Sequence, residues 1–201
     1  MNMFRFFKES RAAVAFEAVI ITPILAWCFV GSFIFFDAFR TYNTSLKATY
    51  AIADVISRQG QDRPIFESDI DGYQAVFDHI SRNPQGSSMR VSQIHFNGTE
   101  YLLADNGTDS FPTGGQTRLR PDDIPGMLDQ LPIMAPGEYV IIVETWIPYI
   151  PYFDMGLNDI MFTNFTVTRP RFTPFIRFDD GTDPTCTSCV HDDNANPTAT
   201  L

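Results

Sequence analysis

The 201-residue sequence contains little of what nucleotide-dependent, hydrolytic or metal-dependent enzymes use. The adjacent glycines Gly114 and Gly115 are not followed by a lysine, and no G-x-S-x-G nucleophile motif occurs. The three histidines, His79, His95 and His191, lack the paired spacing that metal sites use. The sequence therefore gives no support for an enzyme, a cofactor or a metal ion.

Basic residues are also scarce. The chain has 14 Lys and Arg against 24 Asp and Glu, and its formal net charge is -10. A surface of this sign repels nucleic acid and other anionic partners. The composition instead suits a soluble head in an extracytoplasmic space.

Cysteine is limited to three residues. Cys28 lies in an apolar run and is interpreted as a small apolar filler. Cys186 and Cys189 lie in the acidic tail 179–201, which is predicted to be disordered. In an oxidising compartment they predict a local disulfide or free thiols. The alternatives are a redox-active pair, or a metal site with His191, for which the ligand set is incomplete.

The chain has one long apolar run. Residues 12–36 read AAVAFEAVIITPILAWCFVGSFIFF, and the polar interruptions are Glu17, Thr22 and Ser32. As an α-helix the run is about 37 Å long, enough to cross a hydrocarbon core of about 30 Å. It predicts a retained transmembrane helix, because it is too long for the apolar part of a cleaved secretory signal.

Flanking charges predict the orientation of this helix. Arg5, Lys8 and Arg11 precede the run, and Asp37 follows it. The positive-inside rule therefore makes residues 1–11 a cytoplasmic leader and sends the rest of the chain across the membrane.

Glu17 is the most informative residue of the run. An ionisable side chain costs a few kcal/mol at the bilayer centre and less near its edge. Glu17 lies about 7–8 Å into the run, so one interpretation is a carboxylate that reaches the interface. The other is a functional carboxylate that pairs with a positive group, such as the free amino terminus of a neighbouring helix. Pro23 removes a backbone hydrogen bond and predicts a kink.

The residues around Glu17 resemble the N-terminus of TadE-like proteins, the minor pilins or pseudopilins of the tight-adherence type IV pilus systems. The family has basic residues, a small residue at a peptidase cut, a glutamate five residues later, and a proline six residues after the glutamate. Glu17 and Pro23 keep that spacing, which places the cut between Ala12 and Ala13. The family usually has glycine where this chain has Ala12.

The resemblance implies a bacterial inner-membrane protein that takes part in assembly of a tight-adherence pilus. Prepilin peptidase would cut after Ala12, and Glu17 would pair with the new amino terminus of Ala13, its own or a neighbour's. The implied partners are membrane lipid, other pilins or pilus-assembly membrane proteins, and the peptidase. A less specific likeness covers Trp-x-Pro-Tyr-x-Pro at 146–151 and Arg-Pro-Arg at 169–171.

Residues 37–178 predict an extracytoplasmic α+β head with a pilin-like fold. The apolar helix is expected to continue over 37–59, with a break near Asp37 as the alternative. Its packing stripe is predicted to comprise Phe39, Tyr42, Leu46, Tyr50 and Ala53, widened by Ile52, Val55 and Ile56. This amphipathic part would pack on a small, mostly antiparallel sheet.

Local patterns predict the remaining elements of the head. Segments 61–68 and 105–120 are expected to be irregular. The regular elements are a helix over 69–82 that Ser68 precedes, a hairpin over 89–104 around Asn97-Gly98, a short helix over 121–130, a central strand over 138–148 and a strand over 160–168.

Arg169, Arg171 and Arg177 form the basic cluster of the head. One interpretation is a docking patch for an acidic partner subunit or for carboxylates of the head itself. The other is a set of ordinary ion pairs within the head, each of which stabilises little.

A different class of function fits the same organisation. The chain could be a single-pass periplasmic binding or sensing module that is neither cut nor polymerised, with an intact N-terminus and a ligand-sized pocket. An anchored hydrolase or thiol enzyme that uses Cys186 is a third and weaker alternative.

Overall fold

The computed structural model describes residues 10–60, 63–83, 85–104, 109–153 and 156–179, with the side chains from Val14 onward. The chain divides into two compact units. The first contains residues 1–43 and 149–160, and the second contains residues 44–148 and 161–201.

Helix α1 (Ser10–Ser57) supplies most of the first unit and begins the second. It passes Asp37 without interruption, which confirms the predicted continuation of the apolar helix. It begins at Ser10, two residues before the predicted start at residue 12. It ends at Ser57, two residues before the predicted end at residue 59. No break occurs because residues 24–58 contain neither proline nor a run of glycines.

The first half of α1 is apolar on all sides, and the described residues of the chain leave its side chains largely uncovered. Its large apolar side chains are 37–71% exposed: Val14, Phe16, Val19, Ile20, Ile21, Ile24, Leu25, Trp27, Phe29, Val30 and Phe33. Within the most apolar window, mean hydropathy is 2.3 and only 6% of the residues are buried. A helix that is apolar all round requires an apolar environment. Among the described residues, α1 is the one helix long and apolar enough to cross a membrane.

The second unit is built on a five-stranded sheet in which β2 (Ser88–Phe96) pairs with three strands. β3 (Tyr101–Leu103) and β4 (Ser110–Thr113) pair antiparallel with successive parts of one edge. β5 (Tyr139–Tyr149) pairs antiparallel with the other edge, and β6 (Ile160–Thr168) follows beyond β5. These bounds agree closely with the predicted hairpin and strands.

Both faces of this sheet are covered. One face forms a buried cluster with α1 and with α2 (Glu67–Ser81), through Ala48, Ile52, Ile56, Ile70, Phe77, Met89, Val91, Ile141 and Val143. The opposite face forms a second cluster with the 3₁₀ segment Pro121–Gln130, through Ile94, Ile124, Met127, Val140 and Ile142. β5 contributes to both clusters, which explains its nearly continuous apolar sequence.

The packing stripe of α1 agrees with the prediction only in part, because Ile52, Ala53 and Ile56 are buried while the aromatic residues and Val55 are exposed. Tyr50 is 55% exposed, and Phe39 is 65% exposed within the first unit. The residues that are buried in the second unit are smaller: Ser45, Ala48, Thr49, Ile52, Ala53, Ile56 and Ser57. Hydrophobicity alone ranks the aromatic residues higher, but short side chains allow a helix to lie close to a sheet.

A group of buried hydrogen bonds joins this stripe to the sheet. The hydroxyls of Thr49 and Thr145 lie 2.9 Å apart. The Asn164 amide donates to Ser45 Oγ at 3.1 Å and to Thr145 Oγ1 at 3.2 Å. Buried polar groups are costly unless they are bonded, so these contacts favour one register of the helix on the sheet.

Several short elements were not predicted. β1 (Ile65–Phe66) lies in a segment expected to be irregular, and it pairs in parallel with β7 (Phe178–Asp179). β4 lies in the expected loop 105–120, where it pairs with β2. The short helix predicted over 121–130 is confirmed, and it is the 3₁₀ helix Pro121–Gln130, in which Pro125 has no N–H group to donate.

Helix α2 begins two residues earlier than predicted. The Asp69 carboxylate accepts a hydrogen bond from the Phe66 N–H at 3.1 Å, so Asp69, and not Ser68, satisfies the helix start. Acidic Glu67 and Asp69 in the first turn favour this end. The helix ends at Ser81, where Arg82 takes a left-handed conformation with φ 53°.

We predict that Phe77→Ala lowers the free energy of unfolding of the second unit by about 3–5 kcal/mol, because it leaves a cavity in a fully buried site. Val76→Ala is the matched control, since the adjacent Val76 is 48% exposed. The measurement is denaturant unfolding of the full chain in detergent, followed by near-ultraviolet circular dichroism. Equal midpoints for the two variants would contradict the packing described.

Candidate functional site

The candidate site is the N-terminal part of α1 around Glu17. Glu17 is exposed, and no hydrogen bond or ion pair to its carboxylate occurs among the described residues. Val14, Ile20 and Ile21 lie three or four positions away, where side chains of one helix face meet. They are 65%, 47% and 46% exposed. The carboxylate is therefore surrounded by exposed apolar side chains on its own helix.

Other polar side chains of the run differ from Glu17 because their hydrogen bonds stay within the helix. Thr22 Oγ1 donates to the Ala18 carbonyl at 2.6 Å, and Ser32 Oγ donates to the Cys28 carbonyl at 2.8 Å. These hydroxyls can enter an apolar environment without an external partner. A carboxylate cannot form such a bond within its own helix, because its oxygens only accept hydrogen bonds and backbone carbonyls cannot donate to them.

The predicted processing and kink positions also lie on α1. Ala12 and Ala13 are in its first turn, and Pro23 lies inside it. An amino group created at Ala13 would be four positions before Glu17, one helical turn or about 6 Å along the axis. The cut after Ala12 and the kink at Pro23 stay predictions.

The other end of the run has a polar contact of its own. Asp37 is the first charged residue after Glu17. The Tyr149 hydroxyl lies 3.2 Å from Asp37 Oδ2 and 3.3 Å from the Ile34 carbonyl, both of which can accept its proton. Tyr149 is only 6% exposed. Burial, followed by the charge of Asp37, raises the pKa of the Tyr149 phenol above its usual value of about 10.

The arginine cluster makes contacts inside the second unit. Arg169 lies 2.6 Å from Glu138, and Arg171 lies 2.7 Å from Asp54. The Arg171 N–H also donates to the Ser57 carbonyl at 2.8 Å. The structure thus gives Arg169 and Arg171 ion pairs with carboxylates of the head, while their side chains stay more than half exposed. Arg177 is also engaged in an interaction, and docking to a partner stays a prediction.

The remaining candidate residues are not brought together. Cys186, Cys189 and His191 lie outside the described residues, and Cys28 is an exposed free thiol on α1. The His95 ring stacks on Tyr139, with 5.3 Å between the ring centroids. In the described part of the chain, no group of three or more His, Cys, Asp and Glu side chains could hold a metal ion.

Two open depressions lie on the surface of the described residues. One is lined by Asp78, His79, Ile80, Arg82 and Asn83 in the second unit. The other is lined by Pro151, Leu157, Asn158 and Asp159 in the first unit. Neither brings a nucleophile together with a base, so neither has the arrangement of a hydrolytic site.

The contact between Tyr149 and Asp37 was missed by reasoning from the sequence. The two residues are 112 positions apart, and no local pattern links them. The available signal was the proline-flanked aromatic stretch 148–153, which is too irregular for a strand and too apolar for an ordinary loop.

The described residues define the class of protein: an α+β protein with one long apolar helix near its N-terminus that could span a membrane. Comparisons of the chain with protein-family models, with curated proteins and with solved structures found no match.

We predict that Tyr149→Phe removes a late-titrating tyrosine from the alkaline absorbance titration at 295 nm of the full chain in detergent. Because the folded pKa is raised, the phenol stabilises the fold below about pH 10, and this contribution is lost as the pH rises through the folded pKa. Tyr50→Phe is the matched control, since Tyr50 is 55% exposed and lies in the part of α1 that belongs to the second unit. If Tyr149→Phe leaves the late part of the titration unchanged, the buried contact of the Tyr149 hydroxyl with Asp37 is wrong.

Proposed function

We propose that the protein is a membrane-anchored minor pilin or pseudopilin of the TadE-like class, which takes part in assembly of a tight-adherence pilus. It sits in the bacterial inner membrane with its N-terminus in the cytoplasm and its head in the periplasm. The observation that supports this most strongly is the exposed Glu17 carboxylate among exposed apolar side chains.

A positively charged partner would favour a carboxylate at this position of the run. An unpaired acidic side chain costs about 2.5–3.5 kcal/mol at the centre of a membrane helix and less near the interface, to which Glu17 is closer. A positive group at the same depth removes most of that cost. Helices that associate in the correct register satisfy Glu17, and helices in a wrong register do not, so the carboxylate selects one packing.

An amino terminus at Ala13 is the partner that fits this geometry. The nearest basic residues of the chain, Arg5, Lys8 and Arg11, all precede the proposed cut, and the peptidase would remove them. The cut would create one positive charge a single turn from Glu17 on the same helix, and at a similar depth on a neighbouring helix. Processing would therefore exchange a cytoplasmic basic leader for a charge that pairs within the membrane.

The exposed apolar side chains of α1 supply the other part of this function. They suit both lipid and the apolar helices of other pilins, because van der Waals packing and polar contacts drive helix association in a bilayer. The periplasmic binding or sensing module is the competing proposal. It requires neither a cut nor a partner for Glu17.

We predict that Glu17→Gln leaves membrane insertion intact and lowers incorporation into pilus assemblies by tenfold or more, since 1.4 kcal/mol already corresponds to tenfold. Insertion is preserved because the substitution removes a charge from the run. The assay compares the amount of the chain in membranes with the amount in sheared pili, or in cross-linked assembly complexes, of the native host.

Ser32→Ala is the control for this experiment, because the Ser32 hydroxyl bonds only within its own helix in the described structure. It should assemble normally. Normal assembly by Glu17→Gln would remove the pairing role and favour the binding or sensing module.

A further inference from the structure

The segment 149–160 belongs to the same compact unit as the first 43 residues of the chain. It starts where β5 ends, at Tyr149. The Tyr149 hydroxyl lies 3.3 Å from the Ile34 carbonyl and 3.2 Å from Asp37 Oδ2. These contacts hold the start of the segment beside one particular turn of α1, residues 34–37.

That turn lies where the helix leaves the bilayer in the proposed topology. Glu17 and Asp37 are 20 residues apart, and a helix of this length rises about 30 Å, the thickness of a hydrocarbon core. The first buried side chains of α1 also occur there, at Ile34 and Ala38. With Glu17 close to the cytoplasmic interface, Asp37 and the Tyr149 hydroxyl lie close to the periplasmic one.

The side chains that follow Tyr149 are apolar or aromatic and are not covered by protein. Ile150 is 50% exposed, Tyr152 is 85% exposed and Phe153 is 62% exposed. Phe36 and Phe39 on α1 are exposed to a similar extent, at 68% and 65%. Side chains of this kind are concentrated at the membrane–water interface, where a ring meets acyl chains and a hydroxyl meets headgroups.

The segment also has features that suit lipid better than an aqueous partner. It contains no basic residue, so attraction to anionic headgroups does not bring it to the membrane. Pro148 and Pro151 restrict the backbone on both sides of Ile150, which lowers the entropy cost of presenting these side chains together.

We propose that Ile150, Tyr152 and Phe153 form an interfacial anchor that inserts into the headgroup region of the periplasmic leaflet beside residues 34–37 of α1. The occupant of this apolar patch is the lipid bilayer. The anchor adds a second point of membrane contact to the single helix. This inference rests on the proposed membrane span of α1.

The test uses the full chain in phosphatidylcholine vesicles, with Cys28→Ala, Cys186→Ser and Cys189→Ser to remove the native thiols. A nitroxide is attached at Tyr152→Cys, and electron paramagnetic resonance compares its accessibility to oxygen and to a water-soluble nickel chelate. The same label at Phe29→Cys, an exposed position of the run, serves as the hydrocarbon reference. Dilution of the protein into excess lipid separates lipid contact from contact with a second copy.

We expect the Tyr152 label to be more accessible to oxygen than to the nickel chelate, at a shallower depth than the Phe29 label, and unchanged on dilution. A Phe29 label in the hydrocarbon with a Tyr152 label in water would overturn the anchor and leave the span intact. If the Phe29 label is in water, the span itself is wrong and the anchor falls with it. Protection of Tyr152 that disappears on dilution would assign the patch to a second copy and overturn lipid contact.

Discussion

The first half of α1 has an apolar surface that the described residues do not bury. The proposed membrane span, the proposed role of Glu17 and the proposed anchor all depend on this constraint. Each large apolar side chain gains about 1.5–3 kcal/mol on leaving water. Since the side chains from Val14 to Phe33 stay exposed, the described part of the chain does not supply this gain, and an apolar environment such as a bilayer would. The second half of the same helix gains it within the protein, by packing Ala48, Ile52 and Ile56 against the sheet.

Much of the fold could be predicted because the decisive signals are local. An apolar run fixes the first half of α1, and dense β-branched residues fix β5 and β6. Elements that depend on distant partners could not be predicted in this way. Ile65 forms a strand because it pairs with Phe178, and neither segment has a strand pattern of its own. The buried stripe of α1 was predicted in part: Ile52, Ala53 and Ile56 are buried, whereas Ser45 and Thr49, which bond to Asn164 and Thr145, give no hydrophobic signal in the sequence.

The sequence predicts the polar residue at the N-terminal end of the membrane run, but it does not predict the polar contact at the other end. Glu17 is conspicuous in sequence because a charge interrupts an apolar run, and the structure leaves it exposed with apolar neighbours. The contact of Tyr149 with Asp37 requires the fold to bring Tyr149, at the start of the segment 149–160, to α1 within the first unit. At both ends of the run, a polar group lies at the edge of an apolar region. A hydrogen-bond or charge partner there lowers the cost of removing the group from water. Tyr149 supplies that partner for Asp37, and we propose an amino terminus for Glu17.

The central claim is that a processed amino terminus at Ala13 pairs with Glu17 in the membrane. Intact mass together with N-terminal sequencing of the chain extracted from native membranes tests it most directly. If this pairing exists, the mature chain begins at Ala13 and lacks residues 1–12. A chain that still begins at Met1, or at Asn2 after removal of the methionine, would contradict it. Glu17 would then have no processed terminus to pair with, and the anchored binding or sensing module would become the better account.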